Sequence, residues 1–219
     1  MRHFFNTKCY FTFIFLIITT LSFQTYAKLD SGYIQTQPHC SSSILENLVI
    51  SADKGDSDSL YEHGLLLFFG HCVEKNQKKG IVLLRAAASK GHLDAAFTLG
   101  DIFSDRSQEG LHDPNEAYRY LLFAAENDHI EAQHILGIVL VRDDIYENQQ
   151  SRGLYWLGIA ASEGHSFSAI LMGHLYEHGR FGVRKDPCFA RDWYELCHLL
   201  GVEGAVTFIS AIDEAHACD

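Results

Sequence analysis

A repeat of 36 to 37 residues constrains this chain more than any other feature of its sequence. Four glycines separated by 36, 37 and 36 residues mark the repeat: Gly64, Gly100, Gly137 and Gly173. Small residues recur five positions before these glycines, at Ser59, Ala95, Ala132 and Ser168. Repeats of this length are typical of solenoids built from helical hairpins, in which each repeat packs only against its neighbours.

Two further series keep the same phase. The first consists mainly of glycines, which readily take the left-handed conformation that ends a helix. Its members are Gly55, Gly91, Asp128, Gly164 and Gly201, so only Asp128 departs from the pattern. The second series consists of large apolar residues: Leu83, Tyr120, Trp156 and Trp193. We expect these side chains to fill the space beside close helix crossings at Gly64 and its equivalents, because glycine inside a helix otherwise weakens it.

The phase predicts two kinds of helix that alternate along the chain. Helices of type B are expected near residues 43–54, 78–90, 114–127, 150–163 and 187–200. Helices of type A are expected near residues 58–70, 94–104, 131–141, 167–178 and 203–216. Pro114 and Pro187 support the B assignments, because proline is tolerated in the first turn of a helix, where its missing N–H has no partner to lose.

The last full repeat carries a resemblance to a known family. The matching residues are Met172-Gly173, Leu175-Tyr176-Glu177, Gly182-Val183, Asp186, Ala190, Trp193-Tyr194 and Gly201. With them, residues 167–201 resemble a Sel1-like repeat, a relative of the tetratricopeptide repeat, and residues 58–91, 94–128 and 131–164 match more loosely. The resemblance implies an all-α fold, a right-handed α-α superhelical solenoid of about four Sel1-like helical-hairpin repeats with flanking half-repeats. We expect the repeats near 58–93, 94–130, 131–166 and 167–202 within a solenoid of residues 43–216, which a capping helix at 203–216 closes.

The first residues predict export from the cytoplasm. Arg2 and Lys8 give a positively charged start, an apolar run extends from Cys9 to Phe23, and Ala27 completes a cleavage pattern. We therefore expect a signal peptide at residues 1–27, an N-terminal lead-in at 28–42, and a periplasmic or secreted protein of bacterial type. A retained membrane anchor is the alternative, although the apolar run is shorter than the roughly 20 residues that span a bilayer.

The charge of the chain restricts its partners. The formal net charge is −11, and removal of residues 1–27 would take away two basic residues and no acidic one. A strongly acidic chain repels nucleic acid and anionic lipid surfaces, so we expect neither as a partner. No later stretch of the sequence is long and apolar enough to cross a membrane, so we expect no membrane span after cleavage. The expected partner is a protein or a peptide, bound by a monomeric chain that needs no cofactor.

The repeat phase predicts how the cysteines pair. Cys40 and Cys188 lie at the starts of B helices, and Cys72 and Cys218 follow the A helices that come next. Because the start of the first helix in an antiparallel hairpin meets the end of the second, we expect the disulfides Cys40–Cys72 and Cys188–Cys218. Cys197 falls among the small residues of its B helix, which predicts a buried thiol. The alternative is that all of them are reduced cysteines of the core.

Two motifs could carry chemistry. His174, Glu177 and His178 form the pattern H-x-x-E-H found in some zinc peptidases, but the repeat itself supplies Leu-Tyr-Glu here, so we predict no metal site. Ser51 and Lys54 fit the S-x-x-K pattern of penicillin-recognising enzymes, without the companion motifs. Because some cysteine-rich Sel1-like proteins bind penicillin or hydrolyse β-lactams, the resemblance keeps this enzyme class as the alternative function.

The leading hypothesis is a protein–protein interaction scaffold or adaptor of the bacterial envelope or secreted fraction, not an enzyme. In tetratricopeptide-like arrays the A helices line the concave wall. The positions three before, one after and four after the glycines of the first series give the predicted partner-binding residues: Tyr61, Leu65, Phe68, Phe97, Asp101, His134, Ile138, Val141, Ile170, His174 and Glu177. This strip is largely apolar, which is typical of an interaction surface. The alternative is that the same residues contact the next repeat.

Overall fold

The computed structural model describes residues 40–108, 110–142, 149–215 and 218. The predicted signal peptide at 1–27 and nearly all of the lead-in at 28–42 lie outside the described residues. The chain divides into two compact units, the first ending at Ile50 and the second beginning at Ser51. The described part of the first unit is residues 40–50, and the second unit contains all the matched repeats.

The part of the chain that the structure describes contains ten helices and no strand. The helices are α1 Ser42–Asp53, α2 Ser57–Phe69, α3 Gln77–Ser89, α4 Leu93–Ser104, α5 Pro114–Ala125, α6 Ile130–Arg142, α7 Gln150–Ser162, α8 Ser166–His178, α9 Pro187–Leu199 and α10 Ala205–Glu214. Each begins and ends within two residues of its predicted bounds. The second unit is an all-α repeat solenoid, which confirms the predicted fold class.

Local signals in the sequence explain where the helices begin and end. The side chains of Asp56, Asp113 and Asp186 precede α2, α5 and α9 and accept hydrogen bonds from amides of the first turn. These bonds satisfy amide N–H groups that would otherwise have no partner. Asp128 follows α5 with a φ of 62°, so it takes the left-handed conformation of the glycines that it replaces in the series.

Each A helix packs most extensively against the B helix that follows it: α2 against α3, α4 against α5, α6 against α7, and α8 against α9. The glycines of the series that begins at Gly64 lie at these crossings. At Gly100, for example, an added Cβ atom would lie 2.5 Å from Leu121 Cγ. The residues that fill the crossings are Leu84, Leu121, Leu157 and Tyr194. The predicted series that begins at Leu83 is therefore one position too early, because the next residue along each B helix faces the A helix.

The cysteines pair as predicted. Cys188, in the first turn of α9, and Cys218, beyond the end of α10, form a disulfide with their Cα atoms 5.2 Å apart. Cys40 and Cys72 are likewise disulfide-bonded cysteines, in agreement with the other prediction. Cys197 is a free thiol, and burial raises its pKa to about 11. A buried, protonated thiol is a poor nucleophile, so Cys197 is a packing residue.

Candidate functional site

The predicted partner-binding strip on the A helices is partly inaccessible. Leu65, Phe68, His134 and Val141 are buried in the second unit, so they cannot contact a partner, and the prediction is wrong for them. Each A helix is covered by its own B helix and by the next hairpin, which leaves it a narrower free face than the strip assumed. The other seven residues are half-buried: Tyr61, Phe97, Asp101, Ile138, Ile170, His174 and Glu177.

Several residues of the strip contact the next repeat. The Tyr61 ring lies 4.5 Å from the His92 ring, and the Phe97 ring lies 4.8 Å from the His129 ring, measured between centroids. His134 and His165 are in the same relation at 4.3 Å. Tyr61, Phe97 and His134 each lie three positions before a glycine of the first series, and each therefore packs on the start of the following A helix. This agrees with the alternative given above, that residues of the strip contact the next repeat.

Three histidines form a capping series that was not predicted from the sequence. The Nδ1 atoms of His92, His129 and His165 accept hydrogen bonds at 3.2 Å from backbone N–H groups in the first turns of α4, α6 and α8. Because Nδ1 accepts, the neutral ring carries its proton on Nε2. Nε2 of His129 lies 3.1 Å from the carboxylate of Asp94 on the preceding A helix. The spacing of these histidines, 37 and 36 residues, is the signal that could have identified them.

His134 belongs to a buried polar network between α6 and α8. Its Nδ1 atom lies 2.8 Å from the Ser168 hydroxyl, which is also 3.0 Å from Nδ1 of His165. Burial, together with the nearby His165, lowers the pKa of His134 to about 3. His134 is therefore a neutral packing residue that connects consecutive repeats.

Asp101, an acidic residue of the predicted strip, lies on α4. Its carboxyl is withdrawn from water, and this burial raises its pKa to about 7, with a further contribution from the charge of Asp105. The carboxyl group is thus partly protonated at neutral pH.

His174 and Glu177 lie next to each other in the fourth repeat. The Tyr194 hydroxyl donates a hydrogen bond to Glu177 Oε2 at 2.7 Å and lies 3.1 Å from His174 Nδ1. Burial lowers the pKa of His174, so its imidazole is neutral at physiological pH. The Phe208 ring of α10 packs edge-on to the His174 ring at 5.3 Å. The pair therefore has a fixed geometry supplied by three helices.

An apolar groove lies between α7, α8 and α9, outside the predicted strip. It has a volume of about 410 Å³, and its lining is mainly apolar and aromatic: Leu154, Tyr155, Gly158, Ile159, Ser162, Met172, Tyr176, Phe189 and Trp193. Tyr155 and Phe189 on its rim are 62% and 41% exposed. Exposed aromatic side chains around an apolar depression are typical of protein interaction sites.

Trp193, which lines this groove, has an unsatisfied hydrogen-bond donor. Its indole N–H is buried and has no hydrogen-bond acceptor within the described residues. A buried donor without an acceptor costs about 1–3 kcal/mol, so it is rarely retained without a compensating role. Trp193 belongs to the large apolar series of the sequence analysis, which placed it at a helix crossing and not at a groove.

The residues of the alternative enzyme hypothesis lie at the end of α1. Ser51 is half-buried in the last turn, and Lys54 is exposed just beyond it. Within residues 40–108, 110–142 and 149–215, neither the Ser51 hydroxyl nor the Lys54 ammonium group forms a side-chain hydrogen bond or an ion pair. The structure therefore provides no activating neighbour for a serine nucleophile among the residues it describes.

Stacked hairpins with a constant period define the chain as a helical-repeat protein. The family model of the Sel1 repeat matches residues 57–92, 93–129, 130–165 and 166–196. The chain therefore belongs to the Sel1 repeat family, which confirms the resemblance found in its sequence.

Two curated relatives are similar in sequence. The chitin synthase regulator SKT5 of Saccharomyces cerevisiae is 27% identical over 174 residues, which cover 74% of this chain and 24% of that protein. The DAP3-binding cell death enhancer 1 of Rattus norvegicus is 30% identical over 157 residues, which cover 71% of this chain and 30% of that protein. The chain thus spans 24% and 30% of the length of these two relatives.

Two solved structures share the fold. One is c5321, a protective antigen present in uropathogenic Escherichia coli strains, with a TM-score of 0.65 and 25% identity over 74% of this chain and 34% of that chain. The other is a Sel1 repeat protein from Oxalobacter formigenes, with a TM-score of 0.60 and 23% identity over 71% of this chain and 62% of that chain. The second similarity concerns the fold alone.

These comparisons limit the class of function. Sel1 repeat proteins are protein-interaction scaffolds, and the two curated relatives are named as a regulator and as a binder of another protein. This class is consistent with a protein that is not an enzyme. Among the described residues, no helix combines the length and apolar character needed to cross a membrane.

Proposed function

We propose that this chain is an adaptor outside the cytoplasm that binds a segment of another protein in the groove between α7, α8 and α9. The observation that carries the proposal is the aromatic rim of the groove, where Tyr155 and Phe189 expose large apolar surfaces. Burying such rings on binding yields roughly 25 cal/mol for each Å² of apolar area removed from water. The exposed aromatic rings of the rim therefore contribute favourable free energy when a partner buries them.

The chemistry of the groove indicates its occupant. An apolar lining of this volume suits one or two large apolar side chains of an extended or helical segment. The net charge of −11 favours a partner with basic residues near the bound side chains, because complementary charge speeds association.

The half-buried part of the predicted concave strip is a secondary candidate for the same partner. Tyr61 and Phe97 already pack on histidines of the next repeat, so each has less free apolar surface to offer. The groove is the better candidate, because its rim residues extend into solvent.

The location outside the cytoplasm rests on two features. Disulfides persist in oxidising compartments, and this chain has bridges at Cys40–Cys72 and Cys188–Cys218. The predicted signal peptide at residues 1–27 provides a route for export. Together they support a periplasmic or secreted adaptor that acts after cleavage at Ala27.

Site-specific photo-crosslinking in the native host tests the proposal. A photoreactive phenylalanine analogue replaces Tyr155 in one chain and Val82 in another. Val82 is the ideal control, because it occupies the equivalent position in α3 and is also 62% exposed. We expect one discrete protein adduct from position 155 and none from position 82. Adding Phe189→Ala should reduce the adduct about tenfold, the loss expected when about 1.4 kcal/mol of binding energy is removed.

Four results would contradict the proposal. Equal adducts from positions 82 and 155 would indicate random collision, and the absence of any adduct at 155 would remove the groove as a binding site. An adduct that is insensitive to Phe189→Ala would show that the partner contacts Tyr155 without entering the groove. An adduct found only in the cytoplasmic fraction would contradict the proposed compartment.

A further inference from the structure

Three potential ligands for a metal ion meet on one face of α8. His174, Glu177 and His178 each offer one ligand atom, and these atoms all lie within 4.8 Å of one another. Glu177 is central, with its carboxylate oxygens 3.9 Å from His174 Nδ1 and 4.0 Å from His178 Nδ1. Residues three and four positions apart share a helix face, so the three side chains converge without help from another element.

The three preceding repeats of this chain do not carry these side chains. The positions equivalent to His174 in the first three repeats hold Leu65, Asp101 and Ile138. The positions equivalent to His178 hold Phe69, Asp105 and Arg142. The positions equivalent to Glu177 hold Phe68, Ser104 and Val141. The fold therefore tolerates many residues at all three positions, and the combination of two imidazoles with a carboxylate occurs in the fourth repeat alone.

The distances suit a small divalent cation after minor adjustment. Zinc binds imidazole nitrogen and carboxylate oxygen at about 2.0–2.2 Å, which places tetrahedral ligand atoms roughly 3.4 Å apart. The separations of 3.9 and 4.0 Å therefore need to shorten by less than 1 Å, and the separation between the two histidine ligand atoms, at most 4.8 Å, by up to about 1.4 Å, which side-chain rotations provide. Nitrogen-rich ligand sets of this kind favour zinc and neighbouring transition metals over magnesium and calcium.

Tyr194 on α9 holds one of the three ligands, Glu177, in place. Its hydroxyl donates to Glu177 Oε2 at 2.7 Å, and a hydrogen bond of this kind orients a metal ligand. The same hydroxyl lies 3.1 Å from Nδ1 of His174, a contact that is given up when this nitrogen binds the metal. Tyr194 is fully buried, so this support is rigid.

We propose that His174, Glu177 and His178 form a site for a zinc-like divalent cation with an open coordination position. The side chains of His174 and Glu177 are 19% and 27% exposed, and that of His178 is 43% exposed, so the open position faces solvent. A group from another molecule, such as an imidazole or a carboxylate, can complete the coordination there. This proposal replaces the sequence-based prediction of no metal site and does not depend on the groove between α7 and α9.

Calorimetric titration of the purified chain with Zn²⁺ tests the site. The titration uses the chain without a polyhistidine tag and with its disulfides intact. We expect one Zn²⁺ per chain, with affinity at least about tenfold weaker in His178→Ala and in Glu177→Gln, since each removes one ligand. His198→Ala is the matched control, because it removes an exposed histidine from the neighbouring helix α9 and should leave the affinity unchanged. Mg²⁺ should give no saturable binding.

The titration can overturn the proposal in three ways. If the wild-type chain shows no saturable Zn²⁺ binding, the proposed site does not exist. If the affinity for Zn²⁺ is unchanged in His178→Ala, the metal binds elsewhere. Equal weakening in His178→Ala and His198→Ala would indicate scattered binding to surface histidines. Because His178 is exposed, its replacement leaves the fold intact, which circular dichroism of each variant verifies.

Discussion

At the scale of single residues, the middle repeats contain two groups with opposite pH dependence, the buried His134 and the half-buried Asp101. Burial lowers the pKa of His134 from 6.5 to about 3, so between these values the unfolded chain binds a proton that the folded chain excludes. Acidification through that range therefore destabilises the fold. Burial raises the pKa of Asp101 from 3.8 to about 7. Between these pH values the folded chain holds a proton that the unfolded chain has lost, so acidification through this range stabilises the fold. The two effects oppose each other between about pH 4 and pH 6.5.

Replacing Asp101 separates these effects. In Asp101→Asn the cost of a buried carboxylate disappears, so the variant gains stability over the wild type as the pH rises from about 4 to 7. Each pKa unit corresponds to about 1.4 kcal/mol, so the difference in unfolding free energy between variant and wild type should grow by about that amount per pH unit. Urea unfolding at several pH values measures it. Asp192→Asn removes an exposed carboxylate and serves as the control for the lost charge. Parallel pH profiles for Asp101→Asn and the wild type would contradict the assignment.

Residue-level function is where the sequence was least informative. Phase alone placed His134 and Val141 on an accessible wall, although both are buried. Which side of an A helix remains accessible depends on how far the next hairpin covers it. The spacing of residues in the sequence does not reveal how the next hairpin is placed. Tyr155 was missed for a related reason, since its exposure becomes visible only when α7 and α9 are placed side by side.

At the scale of the elements, each hairpin depends on a close approach between its two helices. A Cβ atom at Gly100 would lie 2.5 Å from Leu121 Cγ and 3.1 Å from the Leu121 amide nitrogen. Gly158 offers a contrast within α7, because a Cβ atom there would meet only a Trp193 ring carbon at 3.7 Å, an ordinary contact. The same substitution should therefore have opposite effects at the two positions.

The pair of alanine variants tests this packing. Gly100→Ala should destabilise the chain by about 1–3 kcal/mol, because overpacking exceeds the benefit of a better helix former. Gly158→Ala should be neutral or stabilise the chain by up to about 1 kcal/mol. Thermal unfolding followed by circular dichroism measures both. If Gly100→Ala is as stable as the wild type, the two helices do not approach as closely as described.

The elements themselves were predictable because several local signals agreed. Proline at the start of α5 and α9 and the left-handed residues at helix ends each mark a boundary. The disulfide pairs also followed from the repeat phase, since the ends of a hairpin must meet. The filling residues at the crossings were predicted one position early, at Tyr120 instead of Leu121, because both are large and apolar and only the rotation of the helix separates them.

At the scale of the whole molecule, the second unit is a linear series of repeats. α9 packs against α8 and α10, and each earlier hairpin likewise packs against its neighbours in sequence. In such arrays stability is approximately a sum of repeat terms and nearest-neighbour interfaces, so a local change should act locally. A scaffold of this kind can present separate binding surfaces in different repeats with little coupling between them.

Hydrogen exchange after removal of the Cys188–Cys218 disulfide tests this organisation most directly. The bridge closes a loop with a sequence separation of 30, so the double variant Cys188→Ser, Cys218→Ser should lose about 3 kcal/mol in its last repeat. We expect exchange about a hundredfold faster in α9 and α10, a smaller change in α8, and unchanged protection in α2 to α5. An equal loss of protection from α2 to α10 would contradict a chain of repeats held together by nearest-neighbour contacts.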